Sequence, residues 1–195
     1  NAENVKKLLI ETIKILSEEK FNLKDYIRTV PHWYKKGIMF RDITTLLKHP
    51  GAFNQVIETF AERYKDKRVD KIIGIESRGF IFGSALAHKL NLPFIPVRKP
   101  NKLPAEKISE EYELEYGKDK VEIHKDAINA EDKVLVIDDL IATGGTMLAT
   151  CNLIKKLEGD VFECCFVIEL PDLKGREKLE EQGYKVFSLI QFEGE

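Results

Sequence analysis

Five short apolar runs, interleaved with stretches of helical spacing, leave this chain very few architectures. The runs are Lys71–Ile75, Pro93–Val97, Val134–Ile137, Phe162–Glu169 and Val186–Ile190, and helical patterns occupy Gly79–Leu90, Gly145–Leu157 and Lys174–Gln182. Strands this continuously rich in Val and Ile are buried on both faces. That predicts an α/β fold, a mostly parallel sheet flanked by helices. Ligands of such sheets gather beyond the strand carboxyl ends, and the unusual polar clusters of this chain lie at those ends.

Ahead of Val69 the texture differs. Val5, Leu8, Leu9, Thr12, Ile13 and Leu16 share one helical face, so residues 4–19 read as an amphipathic helix packed on the body or on a partner subunit. Residues 22–48 are turns and short strands punctuated by Pro31 and Gly37, and Ala52–Lys65 is a second helical pattern. The polar stretch Arg98–Gly117 exceeds an ordinary connection and reads as a lid, with Glu111–Tyr116 and Val121–Ile123 able to pair as a hairpin. With 195 residues, 43% of them apolar, one domain over 1–195 is expected.

Charge and cysteine content exclude several classes. Lys and Arg number 31 against 33 Asp and Glu, a net charge of −2, so no basic field favours nucleic acid. No apolar run reaches membrane-spanning length, so no membrane partner is expected. Cys164 and Cys165 are adjacent in an apolar run and predicted to fill the core. With Cys151 they form no metal spacing, and a reducing cytoplasm is expected. His32, His49, His88 and His124 are scattered, and Asp126, Asp160 and Cys151 attract no role.

The segment Val134–Thr146 carries the most chemistry. An apolar strand runs into Asp138 and Asp139, then Ala142, Thr143, Gly144, Gly145 and Thr146 lead into a helix. A glycine turn at a helix start offers free N–H groups and the positive end of the dipole, an anion site. Two carboxylates would repel a phosphate placed beside them, yet they accept hydrogen bonds from vicinal hydroxyls. A ligand with an anion at one end and hydroxyls one sugar ring away satisfies both halves: a sugar phosphate. The turn has neither the lysine of a P-loop nor the glycine spacing of a dinucleotide fold.

Asp-Asp-x-x-Ala-Thr-Gly-Gly-Thr after an apolar strand resembles the phosphoribosyl diphosphate (PRPP) signature of type I phosphoribosyltransferases. Gly74–Gly83, Gly37–Ile43, Arg98–Pro104, Leu114–Gly117 and Leu173–Leu179 are similar to segments of the adenine phosphoribosyltransferases. The similarity runs from about Pro31 to Phe192, with one departure: Tyr34 stands where the family usually has proline. It implies the type I phosphoribosyltransferase fold, with a small hood over 22–48 and a flexible lid over 98–117.

The resemblance also implies roles. Ala142–Thr146 cradle the 5′-phosphate, while Asp138 and Asp139 fix the ribose. Glu76, Ser77, Arg78 and Gly79 hold pyrophosphate on a loop that often carries a non-proline cis peptide. Arg98 and Lys102 reach pyrophosphate, and whether they do so in their own subunit or across a homodimer stays open. Adenine lies on Phe40, with Ile38, Met39 and Arg41 around it. Backbone groups of that segment suit an amino-purine, and a mispaired 6-oxo edge would leave polar groups unsatisfied at ~1–3 kcal/mol each. Glu115 handles the proton on the purine N7, and Tyr116 helps close the site. The implied reaction joins adenine and PRPP to give AMP and pyrophosphate, with Mg²⁺ arriving on PRPP and no protein metal cage. Two rivals are a 6-oxopurine phosphoribosyltransferase and a non-catalytic PRPP-sensing regulator. The latter usually needs a DNA-binding domain that a single amino-terminal helix does not offer.

Overall fold

The computed structural model describes residues 2–17, 20–33, 35–114 and 117–194, without the side chains of 10–17. In chain order the elements are α1 (Ala2–Ser17), β1 (Arg28–Pro31), β2 (Met39–Asp42), α2 (Thr44–Leu47), α3 (Pro50–Tyr64), β3 (Lys71–Ile75), α4 (Arg78–Leu90), β4 (Phe94–Val97), β5 (Lys107–Glu113), β6 (Lys118–His124), β7 (Lys133–Ile141), α5 (Gly145–Lys156), β8 (Asp160–Glu169), α6 (Gly175–Glu181) and β9 (Val186–Gln191). Five of the strands form one parallel sheet in the order β4-β3-β7-β8-β9. Two antiparallel pairs, β1 with β2 and β5 with β6, stand apart from it.

Alternation along each strand sends successive side chains to opposite faces. Ile72, Leu135, Ile137 and Cys165 pack with Val56 and Phe60 of α3 and Phe82 and Leu86 of α4. Ile73, Val134, Val136 and Cys164 pack with Met147, Cys151 and Leu153 of α5 and Leu179 of α6. Covering both faces is what the unbroken apolar runs require. Cys164 and Cys165 fill the core as expected, one on each face, and Cys151 Sγ lies 3.6 Å from Cys164 Sγ.

Three differences from the sequence reading have local causes. α3 begins before Ala52 because His49 caps it, its Nδ1 accepting from the Ala52 N–H at 3.1 Å, and Pro50 sits in the first turn, where a missing N–H costs nothing. β7 runs four residues past its apolar run: β3 pairing ends at Gly74 with Ile137, but β8 continues to pair through Ile141. The two aspartates therefore lie within the strand, on a portion with one open edge. The stretch read as a lid is a strand over Lys107–Glu113, in seven-residue register with β6. Glu110 pins that hairpin to α5 by accepting from Asn152 at 3.1 Å and pairing with Lys156. On α1 the apolar side chains Val5, Leu8 and Leu9 are 58%, 68% and 55% exposed, so of the two partners expected for this face the body is not the one they pack on. Glu18 and Glu19, at the end of the expected helix, and Tyr34 lie outside the described residues.

Candidate active site

The polar groups singled out in the sequence meet at the carboxyl ends of β3 and β7. Because neighbours on a strand point oppositely, Asp138 faces the turn leading into α5 and Asp139 faces the start of α4. Asp139 is 4% exposed and accepts from Arg78 Nε at 2.5 Å. Among the described residues the terminal nitrogens of Arg78 and Oδ1 of Asp139 carry no hydrogen bond, so this pair aims a guanidinium outward and keeps an acceptor in hand. Asp138 Oδ1 accepts from the Asp139 N–H at 2.9 Å. Enclosure pushes the Asp138 carboxyl well above the usual carboxylate range, and the charge of Asp139 adds to the rise. Gly79 makes this packing possible, since a Cβ there would lie 2.8 Å from Ile137 O and 3.0 Å from Asp138 Oδ1.

Beyond β7 the turn Ala142–Thr146 lines a cavity of about 110 Å³ that Asp138 also borders. Gly144 has φ +77°, a conformation that glycine adopts at no steric cost, and it is the residue before α5. No side chain among the described residues caps α5 there, which leaves its first-turn N–H groups available. Thr143 is exposed and Thr146 half-buried. Free amides, two hydroxyls and a helix dipole thus face one small cavity.

The strand end of β3 supplies the third part. The Glu76–Ser77 peptide is cis, as the resemblance implied. Glu76 accepts from the Lys99 N–H at 2.9 Å and from Arg98 Nε at 3.2 Å, and pairs with Lys102 Nζ at 3.3 Å. Burial alone would raise the Glu76 carboxyl, but these donors outweigh it and hold it low. Arg98 and Lys102 therefore converge beside the Ser77–Gly79 turn of their own chain. Lys99 does not join them: its ammonium is taken by the Tyr112 hydroxyl at 2.7 Å and by Asp119.

The hood segment places Phe40 half-buried on β2, with the Trp33 ring centroid 6.4 Å away. Trp33 and Ile38 are 56% and 42% exposed, an open apolar surface of the kind a planar ring covers. Arg41 is turned elsewhere: it donates to Thr29 Oγ1 at 2.6 Å and to the Gly194 carbonyl at 3.1 Å, and lies over Phe192. Asp42 ends the strand. Burial works to raise its carboxyl, but Arg28 and the Thr44 N–H dominate and draw it down to about 2.

Glu115 and Tyr116 lie outside the described residues. Those beside them are defined: Leu114 N–H donates to Gly117 O at 3.0 Å, and Glu113 O and the Tyr112 ring lie 3.5 and 3.4 Å from the position a Cβ on Gly145 would take. The hairpin thus rests against the glycine turn.

A phosphoribosyl transferase domain model matches residues 42–194. The adenine phosphoribosyltransferase of Desulfosudis oleivorans is 56% identical over 174 residues, 89% of this chain and 99% of the relative. This chain belongs to the adenine phosphoribosyltransferase family. Among solved members, that of Thermoanaerobacter pseudethanolicus superposes with a TM-score of 0.84 at 50% identity, covering 87% of this chain and 98% of that one. The Saccharomyces cerevisiae enzyme, solved with an imino-altritol bisphosphate and adenine, gives 0.81 at 42% identity, covering 86% and 96%. Membership makes the chain a pentosyltransferase and disfavours the 6-oxopurine and regulator alternatives.

Sequence reasoning did not single out Trp33, the Lys99–Tyr112–Asp119 cluster or the residues supporting the glycine turn from α6. A lone tryptophan in a turn-rich segment was the available signal for the first. For the last it was the Leu173-Lys-Gly-Arg motif, quoted without a role.

Proposed function

We propose that the cleft at the carboxyl ends of β3 and β7 transfers the phosphoribosyl group of PRPP to adenine, releasing pyrophosphate and AMP. The observation that carries the reading is an Asp139-held arginine whose terminal nitrogens have no partner among the described residues, beside a glycine turn that no described side chain caps.

The 5′-phosphate sits on the amides of Gly144–Thr146 with the Thr143 and Thr146 hydroxyls. Asp138 accepts from a ribose hydroxyl, and Asp139 Oδ1 from another while its Oδ2 holds Arg78. As the bond from the anomeric carbon to pyrophosphate lengthens, positive charge grows on the ribose and negative charge on the leaving group. Asp138 and Asp139 stand near the first, and Arg78, Arg98 and Lys102 near the second, fixed before the reaction starts. The carboxylates of the two aspartates are hard oxygen donors of the type that suits Mg²⁺. Mg²⁺ carried on PRPP would have Asp138 and Asp139 as its protein oxygen donors and would supply charge neutralisation to the departing pyrophosphate. Adenine stacks on Phe40, backbone groups of Ile38–Arg41 read its edge, and N9 attacks while Glu115 manages the N7 proton. Tyr116 helps close the site and keep water from the ribose.

The reading extends to a homodimer, for which exposed Ile81 on α4 offers apolar surface, and to the cytoplasm, where three free cysteines suit a reducing medium. Sedimentation equilibrium tests the first. Pyrophosphate release from PRPP with adenine, hypoxanthine and guanine in turn tests the function: adenine alone supports it at speed, and release only with a 6-oxopurine contradicts the base assignment.

A further inference from the structure

We infer that Gly175 is the positioning residue of the phosphate turn, an inference that rests on reading Ala142–Thr146 as the seat of the 5′-phosphate. Gly175 opens α6, and a Cβ on it would lie 2.3 Å from Ala142 O, 2.7 Å from Ile141 Cγ1 and 3.0 Å from Gly144 N. The contact is reciprocal, for a Cβ on Gly144 would lie 2.9 Å from Gly175 O and 3.2 Å from its Cα. Two backbones touch with no side chain between them, and one of the two is the turn whose amides meet the phosphate.

α6 cannot retreat from that contact. Arg176, next to Gly175, forks onto buried Glu169 at 2.8 and 2.6 Å and also donates to Val186 O at 2.8 Å. Glu169 ends β8, Val186 begins β9, and Leu179 on the same short helix is fully buried. The Leu170 N–H donates to Ile141 O at 3.0 Å, closing a frame around the turn. Planar two-pronged pairing of this kind fixes orientation as well as distance. A methyl on residue 175 must therefore push the turn, since a side-chain carbon does not sit closer than 3.0 Å to such an atom. The displacement falls on Ala142–Gly144. The Glu76–Gly79 turn, on a different strand, is untouched.

This gives a ligand-selective expectation. Calorimetric titration of the purified chain with ribose 5-phosphate and, separately, with Mg²⁺-pyrophosphate reads the two halves of the site. Gly175→Ala should weaken ribose 5-phosphate binding by roughly ten- to a hundredfold, the scale of a misplacement near 1 Å, and leave pyrophosphate binding unchanged. Arg176→Lys keeps the charge but loses the fork, and should weaken ribose 5-phosphate alone by a smaller factor. It carries the test if Gly175→Ala does not fold. Equal losses for both ligands, or no loss for either, would overturn the inference while leaving the phosphate-turn reading intact. Failure of the unaltered chain to take up ribose 5-phosphate would overturn that reading, and the role of Gly175 with it.

Discussion

Two carboxylates of the sheet, Glu163 on β8 and Asp138 on β7, are treated in opposite ways. Glu163 is 6% exposed and fully engaged: Arg63 donates from Nε at 2.8 Å and from a terminal nitrogen at 2.9 Å, and the Tyr64 hydroxyl donates at 2.5 Å. Burial pulls its pKa up, the donors overcome it, and the carboxyl is held below its ordinary range. Asp138 has the Asp139 N–H and a like charge for neighbours, and is driven up. Among the described residues nothing pairs with the outer nitrogens of nearby Arg78 and no side chain caps the start of α5. Where the protein only needs to hold together it satisfies its charges. At the candidate site Asp138 is left short of donors, the state in which a group can meet a substrate.

The strongest way to break this contrast is Asp138→Asn. Removing a contact that stabilises transition-state charge costs about a hundred- to thousandfold in turnover, read by pyrophosphate release. The same change should make the protein more stable at neutral pH. A group whose folded pKa is raised favours folding below its unfolded value and loses that contribution as pH rises, so the neutral side chain relieves a standing cost. A Tm increase of about 2–4 °C, the equivalent of about 1 kcal/mol in a chain of this size, checks it. A variant both inactive and less stable would contradict the assignment.

Next in size is Phe40→Ala, which should raise KM for adenine by about ten- to a hundredfold, since ring stacking contributes about 1–3 kcal/mol per base. KM for PRPP should hardly move, and steady-state kinetics in both substrates separates the two. Glu163→Gln is the mirror of the aspartate change. Losing the charge-assisted hydrogen bonds of this carboxylate, whose Arg63 partner is partly exposed, should cost about 1.5–3 kcal/mol, lowering Tm with little effect on kcat. For this group the sign is reversed: its stabilising contribution is present above the ordinary glutamate pKa and is lost as pH falls through the folded one. Melting curves between neutral and acid pH should therefore converge for parent and variant. The smallest effect is optical. Trp33 is the only tryptophan in the chain and lies beside Phe40, so adenine or AMP should change its fluorescence while pyrophosphate alone does not.

The sheet was legible in the sequence because Val and Ile in unbroken runs leave no solvent-facing alternative, and each of the five runs became a strand. The ends of elements were less so. β7 runs on through Asp138 and Asp139 because β8 beside it continues, a fact of pairing rather than composition. The glycine turn and the Glu76–Gly79 turn were readable from residue type at a strand end. That Asp139 turns to Arg78 while Asp138 borders the cavity of the Ala142–Thr146 turn follows from strand alternation, available in principle once both residues are placed in the strand. Arg41 shows the limit. Its neighbours in sequence suggested the base pocket, yet its partners Thr29, Phe192 and Gly194 come from distant positions that only the folded chain brings together.

The central claim is that one sheet edge takes phosphate on a glycine turn and base on a separate aromatic surface. A crystal structure of the chain grown with AMP tests it most directly. The account predicts phosphate oxygens on the Gly144–Thr146 amides, ribose hydroxyls toward Asp138 and Asp139, and the purine against Phe40. A nucleotide bound with its phosphate away from that turn, or its base away from the hood, would contradict it.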